Sequence, residues 1–214
     1  MIFDDVSAIA QGIPYTILVT LVGFSIGAGG GIPLALARRS RFVVVRVLAR
    51  ALIELLRGIP PIVWIFLIYF GIGNDFITVA ELPAACIAFG LISSAYLAEI
   101  YRGGLSSIHH GQWEAGEALG MSSRAQLIDV IGPQVVRQAV PAAATYGVGL
   151  IKDSSIAFTI GVTDVVFFAD SAAKQSGNPM TPYLIAAVFY MAITVPCAWG
   201  ARTLDSRMRR KVAR

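Results

Sequence analysis

Residues 114–133 read EAGEALGMSSRAQLIDVIGP, and this stretch decides how the rest of the chain is read. In a sequence that is 56% hydrophobic, a segment this polar and this rich in helix formers has to lie outside lipid. The helix formers run from Ile108 to Ala125 behind Gly111-Gln112, and Gly120 is where a helix can end or bend in a left-handed conformation. The expectation is a short helix and turn lying along a membrane surface, inside a polar loop at 108–133.

Outward from the loop, the composition sets the class. Charged residues are 14% of the chain, well below the roughly 25% of an average soluble domain, and mean hydropathy is +0.71. Five apolar segments, near 13–37, 51–72, 83–101, 135–166 and 183–203, are each long enough to cross a bilayer, which takes roughly 20 helical residues. The chain therefore reads as an all-α membrane protein, a single domain over 1–214 with about five transmembrane helices. The fourth segment is overlong and interrupted by Pro141 and by Lys152-Asp153-Ser154-Ser155, so one straight helix is not expected. In the first, Gly23, Gly27 and Gly31 recur every four residues and form a small-residue ridge for close helix packing, within this chain or against a second copy or homologue. Asp4 and Asp5 stand where a secretory signal carries positive charge, so no cleaved leader is expected. Cys86 and Cys197 lie in apolar runs without metal-ligand spacing.

Orientation follows from the basic residues, which resist translocation near span ends. Arg38, Arg39, Arg41, Arg46, Arg50 and Arg57 follow the first span, Arg102, Arg124 and Arg137 surround the loop, and Arg202, Arg207, Arg209, Arg210, Lys211 and Arg214 close the chain. Only Lys152 and Lys174 remain of the 17 Lys and Arg. The loop and C-terminus are thus expected in the cytoplasm and the N-terminus outside. The net charge of +4 is explained by this asymmetry and calls for no nucleic-acid partner.

The spacing of the opening stretch resembles the signature loop of the membrane subunits of ATP-binding-cassette (ABC) importers: Glu-Ala-Ala, three residues, Gly, nine residues, Ile, one residue, Leu-Pro. Glu114, Ala115, Gly120 and Pro133 match, Val130 stands for the Ile, Gly116 replaces the second Ala, and Gly132 replaces the Leu. Further blocks resemble the polar amino-acid permease branch in order: Glu54-Leu55-Leu56-Arg57-Gly58-Ile59-Pro60, Tyr69-Phe70-Gly71, Ala95 to Ile100 leading to Arg102-Gly103-Gly104, Gly111 to Ala115, and Lys152 to Ser155. The resemblance covers about Gly12 to Arg210.

That resemblance implies the type I importer permease (MetI-like) fold with a cytoplasmic coupling helix, in a bacterial inner membrane. It implies that Glu114, Ala115, Gly116 and Gly120 meet a separate ATPase subunit, which binds the ATP and magnesium. The chain itself has no Gly-x-x-x-x-Gly-Lys-Ser/Thr phosphate loop and no zinc-hydrolase motif, so it reads as a transport subunit and not an enzyme. The implied partners are ABC ATPase subunits, a second permease, an extracytoplasmic solute-binding protein and the surrounding membrane lipid. The implied cargo is an amino acid or a related small polar solute.

Translocation-pathway candidates are Ile59, Trp64, Ile92, Thr145, Lys152 and Asp153. The first four stand where many relatives carry Thr, Gln, Asn and Asn; this loss of polarity favours a heterodimer whose other permease supplies most solute contacts. Lys152 and Asp153 are costly near hydrocarbon depth, so they either pair internally or line a wet route. Glu99 and Arg102, three apart on one helix, are expected to form a structural pair. A secondary transporter or channel subunit is the alternative reading; a membrane-embedded enzyme lacks enough convergent acid-base groups.

Overall fold

The computed structural model describes residues 2–72, 79–178 and 180–210, which are helical apart from short connections. Lys211 and Arg214, used in the charge argument, lie outside them.

Helix α1 (Ile2–Ala10) leads after a two-residue turn into α2 (Ile13–Ala37), which is apolar on all sides. Helix α3 (Val43–Gly58) and α4 (Pro61–Phe66), the latter running into a π turn at Leu67–Ile72, follow the first basic loop. Helix α5 (Glu81–Ser106) is the central element: 67% of its most apolar stretch is buried, against 11% for α10 (Met180–Arg210). Between them lie α6 (His110–Ala118), the single turn α7 (Ser123–Ala125), a π turn at Gln126–Ile131, α8 (Gly132–Asp153), a 3-10 segment at Ser154–Ile160 and α9 (Val165–Ser176).

The stretch expected as one span at 51–72 is instead two helical pieces meeting at 101°. The cause is local. Pro60 and Pro61 donate no backbone hydrogen bond, and the residue before a proline is driven to extended geometry, as at Ile59 with φ −93° and ψ 133°. Pro141, by contrast, does not break α8; the helix runs through it, with Thr145 Oγ1 donating to the Pro141 carbonyl at 3.0 Å. The fourth segment tightens at Ser154, where α-helix gives way to 3-10 helix, and ends at Gly161, whose φ is 95°. Helix α9 then departs at 51°, and the Asp164 carboxylate caps it by accepting from Phe167 N–H at 2.8 Å.

The glycine ridge of α2 packs inside this chain, against α5. A methyl group added at Gly27 would lie 2.2 Å from Ser93 Cβ and 2.8 Å from the Ser93 carbonyl carbon; at Gly23 it would meet Phe89 Cβ at 2.9 Å. In lipid, where apolar side chains gain little by leaving their surroundings, such backbone approach supplies the dispersion contacts that hold helices together. Val19, Ile65, Ala85, Phe89, Leu150 and Ile160 build the main core around this seam.

Candidate functional site

Helix α6 is built for exposure. His109 Nδ1 caps it by accepting from Gly111 N–H at 3.1 Å, and His110 Nδ1 lies 2.9 Å from Glu114 Oε1 one turn on. Glu114 remains 68% exposed, Ala115 is also exposed, and Gly116 alone is buried in this helix. The helix closes as a Schellman motif: Met121 N–H donates to the Gly116 carbonyl at 3.0 Å and Gly120 N–H to Glu117 at 2.9 Å, with Gly120 at φ 70°. Ser122 then opens α7 by accepting from Ala125 N–H at 3.2 Å. The helix and left-handed glycine turn expected from the sequence are therefore present.

The loop is tied to the bundle at its base. The Glu99 carboxylate sits between two arginines, with Arg102 Nη2 at 2.9 Å and Arg38 Nη1, at the end of α2, at 3.4 Å. Sequence spacing found the Arg102 contact and missed Arg38, which arrives from 61 positions away through the α2–α5 seam. Arg39 places its guanidinium 5.9 Å from the Trp113 ring, so the first basic loop touches α6 directly. Gln134 Nε2 donates to Gln112 Oε1 at 3.2 Å, joining the start of α6 to α8.

The pathway candidates do not converge on one spot within this chain. Thr145 and Lys152 line a groove of about 470 Å3 between α8 and α10, together with Gln138, Arg202 and Asp205. Asp153 is exposed on the same helix, and among the described residues it forms no ion pair with Lys152, so the internal salt bridge held open above is absent. Ile59 lies half-buried at the α3–α4 break. Trp64 packs against two core clusters, with its indole N–H buried and without a hydrogen-bond partner among the described residues. Ile92 is 4% exposed, inside the core. A polar seam that sequence reasoning missed runs beside them: Arg57 stands 5.0 Å from the Tyr96 ring, Tyr96 stacks on Tyr146 at 5.1 Å, and the Tyr146 and Ser93 hydroxyls are 2.9 Å apart. The signal was available only as unassigned tyrosines in apolar sequence.

At the opposite end of the bundle, Lys174 contacts Asp170 on α9, and Tyr183 OH donates to the same carboxylate at 3.1 Å. The hydrogen bond from Lys174 holds the Asp170 carboxyl below its ordinary range.

Comparison with known proteins places this arrangement. Residues 27–210 match the family described as the binding-protein-dependent transport system inner membrane component. The chain belongs to that family. The permease is 37% identical over 185 residues to the probable amino-acid ABC transporter permease protein YckA of Bacillus subtilis, covering 86% of this chain and 82% of that one. It is 36% identical over 165 residues to the arginine ABC transporter permease protein ArtQ of Haemophilus influenzae, covering 74% and 75%. Its structure is similar to the crystal structure of an amino acid ABC transporter with histidines, with a TM-score of 0.89, 29% identity and 94% of both chains covered. The inward-facing MetNI methionine ABC transporter shares the fold, with a TM-score of 0.72 at 19% identity over 94% of this chain and 96% of that one. The permease is thus a multi-pass inner-membrane subunit of an ABC importer with the type I fold, and the secondary-transporter alternative finds no support. Family membership brings with it an ATPase and a solute-binding protein as the classes of partner.

Proposed function

We propose that this permease forms half of the route for an amino acid or related small polar solute, and that α6 is the element through which a separate ATPase drives it. The observation that carries this reading is the loop's form: a short exposed helix, presented beyond the spans, locked by a Schellman turn, with Glu114 and Ala115 outward. Glu114 acts as the acidic contact to the ATPase, Ala115 permits close approach, and Gly116 and Gly120 shape the helix end. ATP and magnesium bind to the ATPase and not to this chain, which is not itself an enzyme. The C-terminus and loop face the cytoplasm and the N-terminus faces outward, as the basic residues support.

Ile59, Trp64, Ile92, Thr145, Lys152 and Asp153 are the pathway candidates. Their scatter over the α3–α4 break, the core and the α8–α10 groove fits a chain that supplies only part of a solute site, and the loss of polarity at the first four favours a second, homologous but non-identical permease as the source of the rest. Amino-acid cargo is supported by the relatives, whose descriptions include an arginine permease and, at 32% identity over 96% of this chain, the L-cystine transport system permease protein TcyB of Bacillus subtilis.

The test is charge reversal at the outward face of α6. Glu114→Lys should leave membrane insertion and expression intact while lowering the amount of ATPase recovered with the permease, and Glu114→Ala should do so more weakly. Wild-type recovery and wild-type stimulated ATP hydrolysis in both variants would contradict the docking role.

A further inference from the structure

Two residues depart from the signature of the loop, and the structure places one against the side chain of Gln126 and the other at the close of the turn that Gln126 opens. Gln126 is 3% exposed in a mostly open loop whose other buried residues are Gly116 and Ile131. Its Nε2 donates to the Trp113 carbonyl and, at 3.4 Å, to the Gln112 carbonyl, both in the first turn of α6. The side chain occupies the space beside Gly116: a Cβ there would stand 2.4 Å from Gln126 Nε2, 2.7 Å from Cδ and 2.9 Å from Cγ. The Ala that the signature carries at this position cannot coexist with the amide where it lies.

The second departure completes the device. Gln126 opens a π turn, Gln126–Ile131, in which each turn takes in one residue more than an α-helix, and the turn closes where Gly132 N–H donates to the Leu127 carbonyl. A Cβ at Gly132 would lie 2.8 Å from the Leu127 oxygen. Gly116 and Gly132 therefore clear, respectively, the place for the Gln126 side chain and the place for the backbone turn that carries it.

We propose that Gln126 is the positioning residue of this loop: it clasps α6 to the root of α8 and fixes the angle at which α6 is presented. The inference rests on the docking reading above for what is presented, but the clasp itself is a property of this chain. Two hydrogen bonds from a buried amide hold α6 at its first turn, while Gln112 to Gln134 holds the same turn from the other side. The Schellman turn then fixes the far end. Motion of α6 reaches α8 through this joint and the Gln112–Gln134 contact, so losing the clasp should loosen the presented helix without unfolding the bundle.

The experiment uses the complex of permeases and ATPase, in a background lacking Cys86 and Cys197, with a nitroxide on Leu119→Cys; Leu119 is 80% exposed at the end of α6. Gln126→Glu keeps size but presents a carboxylate to two carbonyl oxygens. It should raise nitroxide mobility and weaken ATPase binding roughly tenfold, the scale expected when a buried hydrogen-bonded group loses its donor. Gln126→Met, which fills the space without a donor, should do the same and serves if the Glu variant fails to fold. Gly116→Ala alone should mimic them, and Gly116→Ala with Gln126→Ser should be no better than Gly116→Ala, because the clasp is missing from both. Unchanged mobility and affinity in the Glu and Met variants, or a double variant restored to wild-type affinity without the amide, would overturn the clasp. Failure of the docking reading has a different pattern: Glu114→Lys and the Gln126 variants all bind ATPase normally, while the Gln126 variants still mobilise the nitroxide.

Discussion

Glu99 is the residue on which the base of the loop depends, because it is 17% exposed and neutralises Arg38, 16% exposed, as well as Arg102. Removing it leaves Arg38 enclosed without a counter-charge. Glu99→Ala should therefore destabilise by about 2–3 kcal/mol, below the full range for buried pairs because solvent reaches the site. Arg102→Ala removes a contact that is 38% exposed on the arginine side and should cost under about 1 kcal/mol. Thermal unfolding of the purified permease complex checks the order; equal losses would show that Arg38 does not need Glu99. Half of this site was legible in sequence, since i to i+3 spacing announces Arg102. Arg38 was not, because its contact depends on how closely two helices approach. Gln126 was hidden for the same reason: Gly116 was visible as a departure, but the side chain it makes room for appears only once the loop folds back on itself.

At the scale of elements, the α2–α5 seam gives the sharpest contrast. Gly27 faces Ser93 with no room for a methyl group, whereas a Cβ at Gly29 meets nothing within 4 Å. Gly27→Val should force the helices apart at a cost of about 3 kcal/mol, the upper part of the usual overpacking range, and reduce the yield of monodisperse protein. Gly29→Ala should leave yield and melting temperature unchanged. If both variants behave alike in size-exclusion and thermal assays, the ridge is not what holds α2. Here the four-residue repeat of glycine in the sequence announced a packing face, and the structure supplied its partner. The 101° turn between α3 and α4 was less legible. Pro60-Pro61 reads equally as an anchored helix start, and hydropathy runs on across the break without a change that would mark it.

The molecule as a whole was legible in class and family because membrane spans, charge asymmetry and loop spacing are one-dimensional signals. A solute route assembled between chains is not; of the pathway candidates, Thr145 and Lys152 share the α8–α10 groove. If the partner permease supplies the remaining contacts, purification from the native source should yield a second, homologous permease in equal amount. A fully active complex with this chain as its sole permease would refute that heterodimer. For orientation, a cysteine at Ser176, exposed at the end of α9, should react with an impermeant thiol reagent in whole cells, and one at Ser122 should not; the reverse pattern would invert the topology. The most direct measurement of the central claim is site-specific cross-linking from Ala115→Cys, on the exposed face of α6, in a background without Cys86 and Cys197. The account predicts a cross-link to the ATPase subunit whose yield changes when Mg-ATP is added. A cysteine at this position that labels freely and never captures the ATPase in the active, assembled complex would contradict it.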